Sequence, residues 1–197
     1  MEHYRLQLKT SIDEQTDRYK SILGIPRRKS KTLLQDIEHI LFLVKNYKNI
    51  SPSKLNLLIA QEFNIAQNTV VYVRPTLERA NLLMKINGLV KLTNSAQIYF
   101  QEKNTAYLAK GFLDSYFGFM ELLLLIAQNQ PCKRNDIFTS WVNYYEEEFG
   151  GRALSTQKTQ FHTIYRYLVT FNLINIDKSY LSLNEQMLNN LNRMVVY

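Results

Sequence analysis

Cysteine is all but missing from this 197-residue chain: Cys132 stands alone. No disulfide can close within the chain, no cysteine-rich zinc site can be built, and nothing points to an oxidising compartment. Glycine and proline are scarce, at six and four residues. A many-stranded barrel would need them at its turns, so their scarcity favours long helices. Long apolar runs are missing too. The longest, FMELLLLIA at 119–127, is interrupted by Glu121 and falls well short of the ~20 residues that span a bilayer. The opening MEHYRLQLKT has no apolar core of a signal peptide. The expectation is a soluble, cytoplasmic protein with no membrane partner.

The chemistry-bearing residues are equally thin. His3, His39 and His162 lie far apart, with no metal-ligand spacing around any of them. Glu146-Glu147-Glu148 is a carboxylate run without identifiable partners and reads as a solvated helix end. Gly150-Gly151 does not make a phosphate loop, and no pair of acids with a lysine forms a nuclease-like set. The sequence therefore predicts a protein that is not an enzyme and that needs neither metal nor cofactor.

What is present is a folding composition and a positive charge. Hydrophobic residues make up 46% and charged residues 21%, which excludes a disordered chain. The net charge is +7. Residues 1–31 hold eight Lys and Arg against four acids, and the remainder sixteen against thirteen. A basic chain of this size prefers polyanions, nucleic acid first.

Residues 1–31 read as a basic arm and linker separable from the fold, with mixed spacing over 1–24 that ends in a helix. Pro26 stops that helix, and Arg27, Arg28, Lys29 and Lys31 follow as either a solvated linker or a phosphate-gripping arm. Leu33, Leu34, Ile37, Ile40, Leu41 and Val44 recur at helical spacing over 32–47. Ser51-Pro52 starts a second helix that runs to Phe63, and Asn64 can end it in the left-handed conformation. A third begins near Gln67, where Pro75 predicts a break close to Arg74. Asn87-Gly88 then joins two apolar runs, Leu82–Ile86 and Leu89–Thr93, the strongest short-range hairpin signal. Asn94 or Ser95 caps a further helix.

The order then repeats. Helices are predicted over 116–128, 136–149 and from Ser155, with Phe161, Ile164, Tyr165 and Leu168 facing inward. Two short strands follow around Asp177-Lys178-Ser179, and Asn184 caps a last helix. The segments LERANLLMKINGLVKLTNSAQIYF (77–100) and YLVTFNLINIDKSYLSLNEQML (167–188) correspond element by element. At these segments the chain resembles winged-helix proteins of bacteria, archaea and their mobile elements. The junctions Ala80-Asn81-Leu82-Leu83 and Phe171-Asn172-Leu173-Ile174 carry Asn where that family often has Gly. Asn is the next best residue for a left-handed position. The resemblance covers 32–195. It implies a mainly α fold with small β-hairpins: two winged-helix (helix-turn-helix plus wing) units in tandem, at 32–103 and 104–197.

Tandem chains of this kind resemble plasmid replication initiators, transcription regulators and accessory proteins of restriction or phage-defence systems. Winged-helix DNA binders place the third helix in the major groove and the wing on the backbone or in the minor groove. That implies a DNA-binding set of Gln67, Asn68, Thr69, Tyr72 and Arg74 in the first unit. In the second it implies Thr156, Gln157, Lys158, Gln160, Thr163 and Arg166, within a stretch from 152 to 176 that holds no acid. Lys85 and Lys91 on the first hairpin and Lys178 on the second are candidates for phosphates. Gln157 and Gln160 are expected at the surface, reading bases. Phe112, Leu113, Tyr116, Phe117, Phe119 and Met120 form an aromatic-rich cluster, either core or a homodimer surface. The competing reading is a protein-interaction scaffold inside a larger assembly, because the same fold also resembles modules that bind only protein.

Overall fold

A computed structural model describes residues 18–149 and 153–193, so most of the arm at 1–17 lies outside the described residues. Two compact units form: an N-terminal one from Leu23 to Phe112, and a C-terminal one that joins 18–22 to the residues from Leu113 onward. The sequence drew its boundaries after 31 and 103; the units divide after 22 and 112. No helix among the described residues is long and apolar enough to cross a membrane.

In the N-terminal unit, α1 (Leu33–Asn46) begins with a capping box in which Thr32 and Gln35 exchange hydrogen bonds. It buries Leu33, Ile37, Ile40, Leu41 and Val44 on one face. α2 (Pro52–Phe63) is capped by the Ser51 side chain and ended by Asn64 at φ 50°. The third helix comes in two pieces, α3 (Gln67–Val70) and α4 (Val73–Arg79), with the break at Val71-Tyr72. Pro75 causes the break, but earlier than its own position suggests. Its ring clashes with the carbonyl four residues back, which is that of Val71. Asn81 at φ 51° closes α4, and Leu82 N–H donates to Leu77 O at 2.9 Å.

The hairpin then forms as predicted. β1 (Leu83–Ile86) pairs antiparallel with β2 (Leu89–Leu92), and Asn87 and Gly88 hold φ of 50° and 78° at the turn. Val90 N–H also donates to Ile50 O at 2.8 Å, a single bridge at the sheet edge. The cap of α5 (Asn94–Glu102) is Thr93, not Asn94 or Ser95; its hydroxyl accepts from Ala96 N–H and donates to Asn81 O. α6 (Ala106–Ser115) was not predicted.

The C-terminal unit repeats the order. α7 (Phe119–Asn129) starts three residues later than expected, because Gly118 at φ 99° breaks the chain direction and the Glu121 carboxylate accepts its N–H at 2.7 Å. β3 (Cys132–Lys133), another unpredicted element, leads into α8 (Arg134–Phe149). α9 (Leu154–Thr170) has Ala153 at its cap position with no side-chain bond, so the predicted Ser155 cap is replaced. Asn172 at φ 58° mirrors Asn81. β4 (Ile174–Asp177) and β5 (Tyr180–Leu183) form the second hairpin, and β3 extends it to a sheet ordered β3-β5-β4. Asn184 accepts from Met187 N–H and caps α10 (Glu185–Arg193). The protein is thus mainly helical with two small antiparallel sheets, in the element order of two winged-helix units.

In the core one expectation fails and another is met. Residues 18–24 are not helical and not a detachable arm. Tyr19 bridges residues 115–117 in strand fashion, Tyr145 donates its hydroxyl to Lys20 O at 2.9 Å, and Ile22 and Ile25 are buried. The buried Glu121 is ion-paired with Arg18, whose guanidinium also lies over the Phe117 ring. The aromatic-rich cluster is core, the first of its two readings. Phe112, Leu113, Tyr116, Phe117 and Phe119 are all buried within the chain, with Met120 half-buried. Tyr116 packs against Tyr19 and Phe119, and Phe117 stacks on Tyr144.

Candidate nucleic-acid interface

Helix α9 owes its two faces to its residue spacing. Phe161, Ile164, Tyr167 and Leu168 turn inward onto Trp141 and Phe119, and the opposite face carries Ser155, Lys158, Thr159, His162 and Arg166 outward. Lys158, His162 and Arg166 stand four residues apart, one above another on the same side. Lys158 and Arg166 are therefore separated along the axis by about 12 Å, close to the ~12 Å width of a major groove. No acid occurs anywhere on this helix. Thr159 and Thr163 donate their hydroxyls back to Ser155 O and Thr159 O, leaving the oxygens free to accept. Thr156 and Thr163 are half-buried.

Two members of the predicted set are not on that face. Gln157 and Gln160 are buried, at 0% and 7% exposure, and their amides are committed inside the protein. Gln157 donates to Glu146 at 3.0 Å, so this glutamate of the carboxylate run is a partner as well as a solvated group. Gln160 clasps the backbone of Ile22 from both sides, accepting its N–H at 2.9 Å and donating to its carbonyl at 3.3 Å. Neither can read a base. The Ile22 peptide, 138 residues away in sequence, turns Gln160 inward, and Glu146 from the preceding helix holds Gln157. Helical spacing alone cannot reveal that, because polar residues carry no signal of which side they face.

The structure adds a group that the sequence did not single out. Arg134, the first residue of α8, donates to His162 Nδ1 and lies over the Tyr165 ring at 4.4 Å. Phe138, one turn along α8, stacks parallel to the His162 ring, and Phe161 meets the ring edge-on. Burial, then the nearby Arg134 and Lys158 charges, push the His162 pKa below its ordinary value. That shift favours the neutral imidazole at pH 7. Burial also raises the Tyr165 hydroxyl. Only the pairing of residues 28 positions apart reveals this cluster, which is why no local motif pointed to it.

In the N-terminal unit, Gln67, Asn68 and Thr69 are exposed on the four-residue α3, followed by Tyr72 at 57% exposure. Arg74 is half-buried and paired with Glu78 at 2.5 Å, so it is not the open guanidinium expected. Lys85 and Lys91 are both exposed, yet the register pairs Lys85 with Val90 and Met84 with Lys91, which places the two lysines on opposite faces of the hairpin. Lys178 sits exposed at the second turn with φ 53°.

The basic cluster also divides. Arg28 is anchored to the buried Asp36 at 2.8 Å, donates to Gln35 O and covers the Phe63 ring at 5.1 Å. It fastens the linker to α1 and is not available to a phosphate. Arg27 is exposed and donates to Lys31 O, while Lys29 and Lys31 are exposed.

Among the described residues no group of three or more His, Cys, Asp and Glu side chains is placed to hold a metal ion. Cys132 is buried, and burial, reinforced by Asp136, raises its thiol pKa.

No family model matches the chain, and no curated protein matches it in sequence. Among solved structures, the chain is similar to the binding domain of the BpuJ1 endonuclease, crystallised with pyrene- and phenanthrene-modified DNA. The TM-score is 0.50 at 13% identity, over 88% of this chain and 84% of that one. At that identity the likeness is one of fold: a mainly helical chain carrying small antiparallel sheets.

Proposed function

We propose that this protein binds double-stranded DNA without catalysing a reaction, as a regulator, an initiator or an accessory of a restriction or defence system. The carrying observation is the outward face of α9: Lys158, His162 and Arg166 in line, flanked by hydroxyls, with no acid on the helix. An acid there would be repelled by phosphates on either side of a groove, and ordinary protein surfaces mix both signs. The helix is the third of its unit and precedes the hairpin, the position that enters the major groove in winged-helix complexes. The similar endonuclease binding domain was crystallised with DNA, which favours this reading and the restriction context over the other two roles.

The test is a titration of the full chain against random-sequence duplex DNA across a salt series. Steep weakening with salt, with log K falling by about 0.9 per phosphate contact, supports the proposal. A second reading, a protein-interaction module in a larger assembly, draws on exposed apolar side chains of the N-terminal unit: Val71, Tyr72, Met84 and Ile86. Absence of duplex binding even at low salt would favour it.

A further inference from the structure

Arginine can donate hydrogen bonds but cannot accept them. Because Arg134 donates to His162 Nδ1, that nitrogen carries no proton, and the single proton of the neutral ring resides on Nε2. The ring cannot easily swing away from this setting. Phe138 lies parallel to it at 6.5 Å between centroids, and Phe161 meets it edge-on at 5.7 Å. Nε2 has no hydrogen-bond partner among the described residues, and the side chain is exposed. The result is a neutral N–H donor of fixed direction, held between Lys158 one turn before and Arg166 one turn after.

Resting on the DNA-binding reading, we infer that His162 is the base-reading residue of α9 and that its Nε2–H donates to guanine. Lys158 and Arg166 can hold phosphates at the two ends, but phosphates carry no sequence information. The glutamines that could have read bases are buried. His162 lies midway between the two cations, where the helix would face the groove floor. Guanine presents two acceptors there, N7 and O6; thymine presents one, O4, beside its methyl group, adenine sets a donor beside N7, and cytosine presents a donor alone. A lone donor, locked by an arginine that only donates, is matched best by the edge with two acceptors and neither a donor nor a methyl group. Arg134 is the positioning residue: it sets the tautomer without needing to touch DNA.

The test begins by selecting preferred duplexes from a random pool with the full chain. Binding of the parent and variants is then measured on the selected site, on random duplex, and on the selected site with individual guanines replaced by 7-deazaguanine, which lacks the N7 acceptor. The parent should lose about tenfold at one guanine position, and His162→Ala should be insensitive to that replacement. His162→Gln, whose amide N–H reaches a similar place, should recover part of the preference. Arg134→Ala should weaken the guanine preference more than it weakens binding to random duplex. Melting curves establish that each variant is folded. If the parent binds no duplex, the DNA-binding proposal itself fails. If the parent selects a site and folded His162→Ala keeps the same guanine dependence, the proposal stands and the assignment of His162 is overturned.

Discussion

The two units share an element order but differ where it matters for binding. In the C-terminal unit the third helix is continuous over 17 residues and presents cations without acids. In the N-terminal unit the same helix is broken by Pro75 into pieces of four and seven residues, and its one arginine near the break is held by Glu78. The sheets differ in the same sense: β3 gives the C-terminal hairpin a third strand, where the N-terminal hairpin has only the single bridge of Ile50. One proline and one glutamate thus give two similar frameworks different third helices. The C-terminal unit has the rigid, charged face, and the N-terminal unit has a short polar turn with exposed Val71 and Tyr72.

The strongest expected effects probe how tightly each framework is closed. At Gly111 an added Cβ would lie 1.7 Å from the carbonyl oxygen of Ala80, a backbone atom at the end of α4. Gly111→Ala should cost about 3 kcal/mol, the upper part of the overpacking range. At Gly118 the obstacle is the tip of the Ile164 side chain at 2.4 Å, which can turn aside, and φ is 99°. Gly118→Ala should cost about 2 kcal/mol, chiefly from the left-handed backbone. Chemical denaturation of both variants checks the order. The reverse ranking would mean that the N-terminal framework yields more readily than its close approach implies.

Gln160→Ala comes next. The sequence made this residue a base reader; the structure makes it a clasp for the Ile22 peptide. The substitution should lower stability by about 1–3 kcal/mol through the unsatisfied backbone groups it leaves. The folded variant should keep the parent's preference between selected and random DNA, and a lost preference would restore the original assignment. Gly88→Val should cost about 1 kcal/mol, since φ of 78° at the hairpin turn disfavours a β-branched side chain. The melting temperature should fall while DNA binding by the C-terminal helix persists.

The smallest effect concerns acidity. His162 faces Arg134 from α8 and shares its helix with Lys158 and Arg166, and its pKa is lowered by burial and then by those first two charges. A histidine that titrates lower when folded favours the neutral state. Its contribution to stability is therefore present above the unfolded value of about 6.5 and is lost as pH falls from there through the folded pKa. His162→Gln should flatten stability over that window relative to the parent, and parallel curves for the two proteins would contradict it.

Much of the framework was legible because each signal was local and steric. Asn87-Gly88 demanded a turn with positive φ. Asn81 and Asn172 marked helix ends in the left-handed conformation, and both occupy it. What stayed hidden depended on side-chain partners that no local motif announces, whether eight or 138 residues away. Arg28 reads in the sequence as one of four equal cations, but Asp36 holds it. Gln157 and Gln160 looked like surface residues because a polar side chain at helical spacing fits either side. β3, two residues long, had no alternation to detect and exists only through its pairing with β5. α6 buries Leu108, Ala109, Phe112 and Leu113 at helical spacing, of which only Phe112 and Leu113 stand out in the sequence, as part of the aromatic-rich cluster.

The central claim is that the α9 face grips DNA more than the hairpin of the other unit does. Two double variants test it side by side on random duplex across a salt series. Lys158→Ala with Arg166→Ala removes both cations of α9, which share one face, and should make the salt slope shallower by about 1.8. Lys85→Ala with Lys91→Ala removes lysines on opposite faces of the hairpin, of which only one can meet a given backbone, so the change should be about 0.9 or less. A folded α9 variant that keeps the parent's slope, or a hairpin variant that loses more than it does, would contradict the account.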